Sequence, residues 1–277
     1  MTDGPLRALI FESGLGGLSV FREVAARLPG LECVYAADTA FFPYGTKPEE
    51  ALVRRLPRLM AALAARYRPD IAVIACNTAS TVALPPIRVA LSVPVVGTVP
   101  AIKPAATISR SRTIGLLGTP GTVRRAYTDR LIDQFAADCR VLRHGSAELV
   151  ALAEAKLRHG RVALSDVRAA VAPLLAEPGA GELDVVVLAC THFPLIADEL
   201  RACLPPGLAL IDSGDAIARR VADLLGPDET PRPTPAHLAV VTSAPLDAHG
   251  PRNCFSDGGF ARVDLFDEEC AAAATVA

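Results

Sequence analysis

The chain has 277 residues, of which 51% are hydrophobic and 21% charged, and its formal net charge is −2. That length can bury a real core in one large domain or two smaller ones. No apolar run approaches the roughly 18 residues of a membrane span, no basic tract points to nucleic acid as the main partner, and seven cysteines without a CxxC pair argue against a disulfide scaffold or structural zinc.

The start, Met1-Thr2-Asp3-Gly4-Pro5, has neither a basic segment nor an apolar signal core, which leads us to expect a cytoplasmic protein. Arg7 to Phe11 reads as a short buried strand. It runs through Glu12-Ser13-Gly14-Leu15-Gly16-Gly17 into an amphipathic helix from Leu18 to Leu28. A strand, a glycine-rich turn and a helix place backbone N–H groups where an anion can bind. The glycine spacing is not GxGxxG and there is no Walker lysine, so no nucleotide site is assigned. Glu32 to Thr39 is a second strand, Phe42 to Lys47 a loop, and Pro48 to Arg66 a long helix.

Ile71-Ala72-Val73-Ile74-Ala75 is a β-branched run of the kind buried on both faces of a parallel sheet, and it stops at Cys76-Asn77-Thr78. A helix-like stretch follows, which Pro85-Pro86 should interrupt or bend. Val93 to Gly97 is a further strand, leading into a proline-containing crossover. Thr113 to Leu117 is a strand ending in Gly118-Thr119-Pro120-Gly121-Thr122, with a helix from Val123 to Ala137. After a strand at Arg140 to Leu142 come helices from Ser146 to Arg158 and from Ser165 to Leu175.

Asp184 to Ala189 repeats the earlier device, an apolar strand that stops at Cys190-Thr191-His192. Leu208 to Ser213 is a strand-to-turn unit, and a helix runs from Asp215 to Leu225. From Gly226 the composition shifts to proline and threonine and reads as a linker. His237 to Thr242 reads as one last strand returning to the first lobe, and 271–277 as a frayed tail. Strands alternating with helices imply βαβ units. The expected fold is α/β, with two pseudo-symmetric lobes. Each is a mostly parallel sheet flanked by helices, and the active site lies between them. The expected lobes are 1–97 plus 208–277 and 98–207.

Thiols at the carboxyl ends of two buried parallel strands sit at the ligand edge of such sheets. Cys76 and Cys190 are 114 positions apart, close to half of a two-lobed protein, and we read them as facing one substrate. Inverting a stereocentre needs proton removal on one face and delivery on the other, and two groups of one chemical kind serve both directions. A thiol with a reference pKa near 8.5 needs only modest help to act as a base while its partner stays protonated. With contacts of roughly 3–3.5 Å to the reacting carbon, the sulfurs would stand roughly 7 Å apart, far beyond the roughly 2 Å of a disulfide. Read singly, each cysteine is a small buried hydrophobe. That reading stands for Cys33, Cys139, Cys203, Cys254 and Cys270, which lack polar partners. Asn77, Thr78 and Thr191 can cap turns and helices or hold a substrate's carboxylate and ammonium. His192, two residues after Cys190, can support thiolate chemistry or serve as a buried structural histidine. Asp38 orients neighbours or caps a strand end.

Six segments in order carry a resemblance: Phe11 to Ser19, Ala37-Asp38-Thr39, Pro43 to Lys47, Ala75 to Ser80, Leu117 to Thr122 and Ala189 to Pro194. Together they strongly resemble the glutamate racemases of the aspartate/glutamate racemase superfamily, from about residue 8 to about residue 225. The resemblance implies cofactor-independent two-base racemisation of glutamate that supplies D-glutamate for peptidoglycan. It places the catalytic cysteines at Cys76 and Cys190, with Glu12 and His192 as further catalytic groups. It places substrate contacts at Glu12, Ser13, Tyr44, Gly45, Asn77, Thr78, Thr119, Thr122, Thr191 and His192. No cofactor, metal, nucleic acid or membrane is expected, and dimers are usual for the family. Glu12 departs from the family, which carries aspartate there. The added methylene bears on rate and substrate fit in a site sensitive to about an ångström. An aspartate or hydantoin racemase, a one-thiol decarboxylase or hydrolase, and a non-catalytic binding protein are the alternatives. A substrate panel separates the racemases, single cysteine changes expose a one-thiol enzyme, and binding without turnover marks the last.

Overall fold

The apolar runs of the sequence become the strands of two parallel sheets. The computed structural model describes residues 5–226, 235–243, 254–255 and 259–267. These divide into two compact units, one from 1–98 and 214–277 and the other from 99–213.

In the first unit, β1 (Arg7–Glu12), β2 (Glu32–Ala37), β3 (Ile71–Ile74), β4 (Val95–Gly97), β9 (His237–Val241) and β10 (Phe260–Leu265) form one sheet. Its order is β10-β9-β2-β1-β3-β4, with every pairing parallel. Parallel sheets need helices on their faces. Helices α1 (Leu18–Arg27), α2 (Glu49–Tyr67), α3 (Asn77–Ala90) and α10 (Gly214–Leu225) belong to this unit. On α2 the buried residues Leu52, Leu56, Leu59, Met60 and Leu63 recur at three- and four-residue spacing and share one core with Leu9, Phe11, Ala72 and Ile74 of β1 and β3. Each such side chain contributes roughly 2 kcal/mol by leaving water. Glu49 and Glu50 in the first turn of α2 complement its dipole.

In the second unit, β5 (Thr113–Gly118), β6 (Arg140–Gly145), β7 (Val185–Ala189) and β8 (Ala209–Ile211) pair in parallel in the order β6-β5-β7-β8. Helices α4 (Ile102–Ile108), α5 (Pro120–Arg124), α6 (Ala126–Phe135), α7 (Ala147–His159), α8 (Leu164–Ala176) and α9 (Ala197–Cys203) belong to it. Ile114, Leu116, Val185 and Val187 pack with Ile102, Ala105 and Ile132 in one core. Both sheets contain the same four-strand arrangement, in which the first strand of each set lies between the second and the third. Among the described residues no helix is long and apolar enough to cross a membrane.

Several expectations change. Residues 208–213 join the second unit rather than the first, because β8 pairs with β7 from Val185 and Ala209 onward. The helix expected from Val123 to Ala137 is two helices, since Arg125 takes an extended backbone with ψ of 143° between them. Pro85 and Pro86 do not interrupt α3, which continues to Ala90. Proline's fixed φ is helix-compatible, and Pro85 is exposed, so water can reach the carbonyl it leaves unbonded. The strand at His237 is not the last, since β10 adds to its free edge. The proline-containing crossover after β4 holds helix α4, and the stretch after β7, to which the sequence reading assigns no element, holds α9. Most of the proline-rich linker and all of 271–277 lie outside the described residues.

Candidate active site

In the first unit the carboxyl ends of β2, β1 and β3 lie side by side. Glu12 pairs with Ala37 and Phe11 with Ile74, and Asp38 N and Ala75 N continue the ladders onto Glu12 O and Phe11 O at 2.8 Å each. Glu12, Asp38 and Cys76 are thus delivered to one sheet edge, as the ligand edge of an α/β sheet requires.

Cys76 is the N-cap of α3, and its sulfur accepts from Ala79 N at 3.5 Å. This places it against the N–H groups of a helix start, where negative charge is favoured. Asn77, Thr78 and Ser80 behind it are buried. The side-chain amide nitrogen of Asn77 is buried with no hydrogen-bond partner, although such a donor costs about 1–3 kcal/mol if left unmet. It belongs to the residue that directly follows Cys76 in the chain. Ser80 and Thr98 tie the strand ends together. Thr98 Oγ1 donates to Ile74 O at 2.7 Å, and Thr98 N donates to Ser80 Oγ at 2.9 Å.

Glu12 is buried and turned back on its own loop. It accepts from Ser13 Oγ at 3.0 Å and from Gly14 N at 2.5 Å. Tyr35 OH donates to Gly14 O at 2.9 Å, fixing the same turn from below. A Cβ at Gly17 would come within 2.9 Å of Glu12 Cβ and 3.0 Å of the Tyr35 hydroxyl, so a side chain there would force one of the two to shift. Glu12 thereby holds Ser13 and Gly14 at the end of β1.

Tyr44 is buried and donates to Asp38 Oδ2 at 2.6 Å. Burial, and then the Asp38 carboxylate, push its phenol well above the usual range, with smaller contributions from Cys76 and Glu12. It is therefore a hydrogen-bond donor at neutral pH. Gly45 follows it in a short 3-10 turn, Tyr44–Thr46.

In the second unit β5 and β7 end together at Gly118 and Ala189, so Thr119 and Cys190 leave adjacent strands. Thr119 caps α5 by accepting from Thr122 N at 3.2 Å, and the two hydroxyls are 2.9 Å apart. Both residues are buried. Cys190, Thr191 and His192 are also buried. His192 Nδ1 lies 3.8 Å from the Cys190 sulfur, and its Nε2 lies 2.9 Å from Glu154 Oε1. Cysteine, imidazole and carboxylate form a chain in which the carboxylate fixes the ring and the ring can exchange a proton with sulfur.

Sequence reasoning missed Glu154. Its signal was an acidic residue beside the apolar positions Leu149, Val150 and Ala153 of α7, all buried in the structure. It also missed the meeting of Asp38 with Arg55 at 2.7 and 2.8 Å. Of the other cysteines, Cys33 is wholly buried, and burial with the nearby Glu32 pushes it up to about 12. It stays a thiol. Among the described residues no group of three or more His, Cys, Asp or Glu is arranged to hold a metal ion.

Residues 16–221 match the Asp/Glu/Hydantoin racemase family. The chain belongs to that family. A glutamate racemase of Sphingopyxis alaskensis is 52% identical over 240 residues, spanning 87% of this chain and 89% of the relative. The crystal structure of Escherichia coli glutamate racemase, in complex with L-glutamate and activator UDP-MurNAc-ala, matches with a TM-score of 0.86 at 43% identity, covering 95% of this chain and 98% of that one. The Thermus thermophilus glutamate racemase, in complex with β-chloro-D-alanine, matches with a TM-score of 0.73 at 31% identity, covering 97% and 99%. The two-sheet α/β architecture is that of these racemases, and this family member is an isomerase.

Proposed function

We propose that the chain interconverts L- and D-glutamate without a cofactor, using Cys76 and Cys190 as the two acid–base groups. The observation that carries this reading is the repeated placement of the thiols. Each follows the third strand of the same four-strand arrangement, and each is buried beside a group that supports charged sulfur or moves its proton. Glutamate as substrate is supported by relatives that carry that name at about half identity over most of their length.

In the proposed reaction one thiolate takes the proton from Cα, and the other thiol returns a proton to the opposite face. The reverse reaction exchanges the roles. The Cα–H bond breaks as an S–H bond forms, and the electron pair passes into the substrate carboxylate until the second proton arrives. Asn77 Nδ2, Thr78, Thr191, Ser13 and the Tyr44-Gly45 backbone are the proposed holders of the amino-acid group, with Thr119 and Thr122 on the second unit. His192 with Glu154 serves Cys190. Glu12 serves the Cys76 side through Ser13 and Gly14. Donors aimed at the oxygens where charge develops stabilise the transition state more than the ground state. Supply of D-glutamate to peptidoglycan, a cytoplasmic location and a homodimer complete the proposal, on family resemblance.

The test is α-proton exchange. Purified protein incubated with either enantiomer of glutamate in D2O should lose optical activity and gain Cα deuterium without added pyridoxal phosphate. No exchange with glutamate, or exchange only with aspartate or a hydantoin, defeats the assignment.

A further inference from the structure

The segment after β9 returns to the Tyr44 loop from 204 positions away. Thr242 Oγ1 donates to Asp38 Oδ1 at 2.7 Å and accepts from Ala40 N at 3.0 Å. Its backbone N–H donates to Ala37 O at 3.1 Å. Ser243 N donates to Thr39 Oγ1 at 2.9 Å, and Ser243 Oγ lies 3.0 Å from the same oxygen. Thr242 lies beyond the residues that match the family.

Asp38 is the hub of this contact, fully buried and held at both oxygens. Oδ2 accepts from Tyr44 OH and Arg55 Nε, and Oδ1 accepts from the Arg55 guanidinium and Thr242. Arg55 also lies over the Phe41 ring, 5.3 Å from its centroid, with Lys47 on the same ring at 4.9 Å. A buried carboxylate with four donors has one orientation, and Tyr44 takes its position from that orientation. Remove the Thr242 hydroxyl and Oδ1 keeps only arginine while Ala40 N loses its acceptor. The carboxylate can then turn, and the loop that carries Tyr44 and Gly45 loses one of its ties to the sheet, while the backbone bond of Thr242 and the Ser243 contacts remain.

We propose that Thr242 is a positioning residue for substrate binding, acting through Asp38 on the Tyr44-Gly45 segment. The inference rests on the reading of that segment as a substrate-carboxylate site. A group that sets a binding loop, rather than the proton-transfer groups, changes substrate affinity and leaves the chemical step alone.

The experiment compares full-length wild type with Thr242→Val, Thr242→Ser and Arg55→Lys. Racemisation is followed by circular dichroism in both directions, and glutamate binding by calorimetry. Valine keeps the shape and removes the hydroxyl, so KM and Kd should rise about fivefold while kcat stays within about twofold. Serine should restore wild-type values. Arg55→Lys keeps the charge but loses the two-point contact, and it should shift KM in the same direction if the valine variant fails to fold. Wild-type KM and Kd in a folded valine variant, a fall in kcat alone, or a serine variant as impaired as valine overturns the proposal. Wild type that binds glutamate without turnover overturns the racemase reading and leaves the Kd comparison to decide Thr242. Wild type that neither binds nor turns over glutamate overturns both.

Discussion

Glu154 on α7 meets His192 across 2.9 Å, although 38 positions separate them in the chain. The meeting is held by a second contact between the same elements. Lys156 Nζ, two residues on, donates to Leu195 O at 3.0 Å and pairs with Glu199 at 2.8 Å. Ser146 caps α7 by accepting from Leu149 N at 3.1 Å, so the helix start, its carboxylate and the histidine are fixed as one body.

Glu154→Gln keeps the shape and removes the charge that holds the imidazole. Because positioned acid–base groups contribute about 10²–10⁴-fold, kcat should fall about 100-fold, with KM changed far less. Steady-state racemisation in both directions measures it, and an unchanged kcat would remove Glu154 from the proton path.

Either thiol should be indispensable. Cys76→Ala and Cys190→Ala should each lower racemisation by about 10³-fold or more, while solvent exchange at Cα survives in one direction at most. Mass spectrometry of recovered substrate and product resolves the two. A variant that still racemises at near wild-type rate would point to a one-thiol enzyme.

Gly17→Ala tests the packing of the buried acid. The backbone there has φ of −64° and ψ of −8°, which alanine accepts, so the cost is steric. The new methyl would stand 2.9 Å from Glu12 Cβ, and overpacking of this kind costs about 1–3 kcal/mol. Urea unfolding should show that loss, and kcat should fall with it as Ser13 and Gly14 shift.

Acid should loosen the first sheet at β9. His237 Nδ1 accepts from Cys33 N at 3.2 Å, and its ring packs edge-on to Phe21. Burial lowers its pKa below the ordinary 6.5, against a smaller opposing pull from Glu32. The unfolded chain therefore binds the proton more readily. The contribution is fully present above pH 6.5 and is lost as pH falls below it. Unfolding midpoints from pH 7.5 to 5.5 should drop more steeply for wild type than for His237→Asn. Equal slopes would show that the ring does not titrate with folding.

The strands were legible because a strand buried on both faces has nothing but apolar residues to show, as at Ile71 to Ala75 and Asp184 to Ala189. Cys76, Asn77, Cys190 and His192 were legible because they interrupt those runs where the chain leaves the sheet. Glu154, Arg55 and Thr242 were not. Each lies in a helix or a strand end far along the chain from its partner, and periodicity carries no trace of which remote carboxylate or hydroxyl a fold will bring near. The continuation of α3 through Pro85-Pro86 was hidden for another reason. A breaker acts through the N–H it lacks, and at an exposed helix face solvent takes up that loss.

The two thiols follow the same strand of the same four-strand arrangement but are equipped differently, Cys76 by a helix start, Cys190 by an imidazole backed by a carboxylate. Under the proposed two-thiol racemisation, mirror-image substrates are therefore met by unlike chemistry. An inhibitor shaped to one enantiomer and carrying an electrophile should be captured by one sulfur in preference to the other, and drugs of opposite handedness against this protein should select for resistance at different residues.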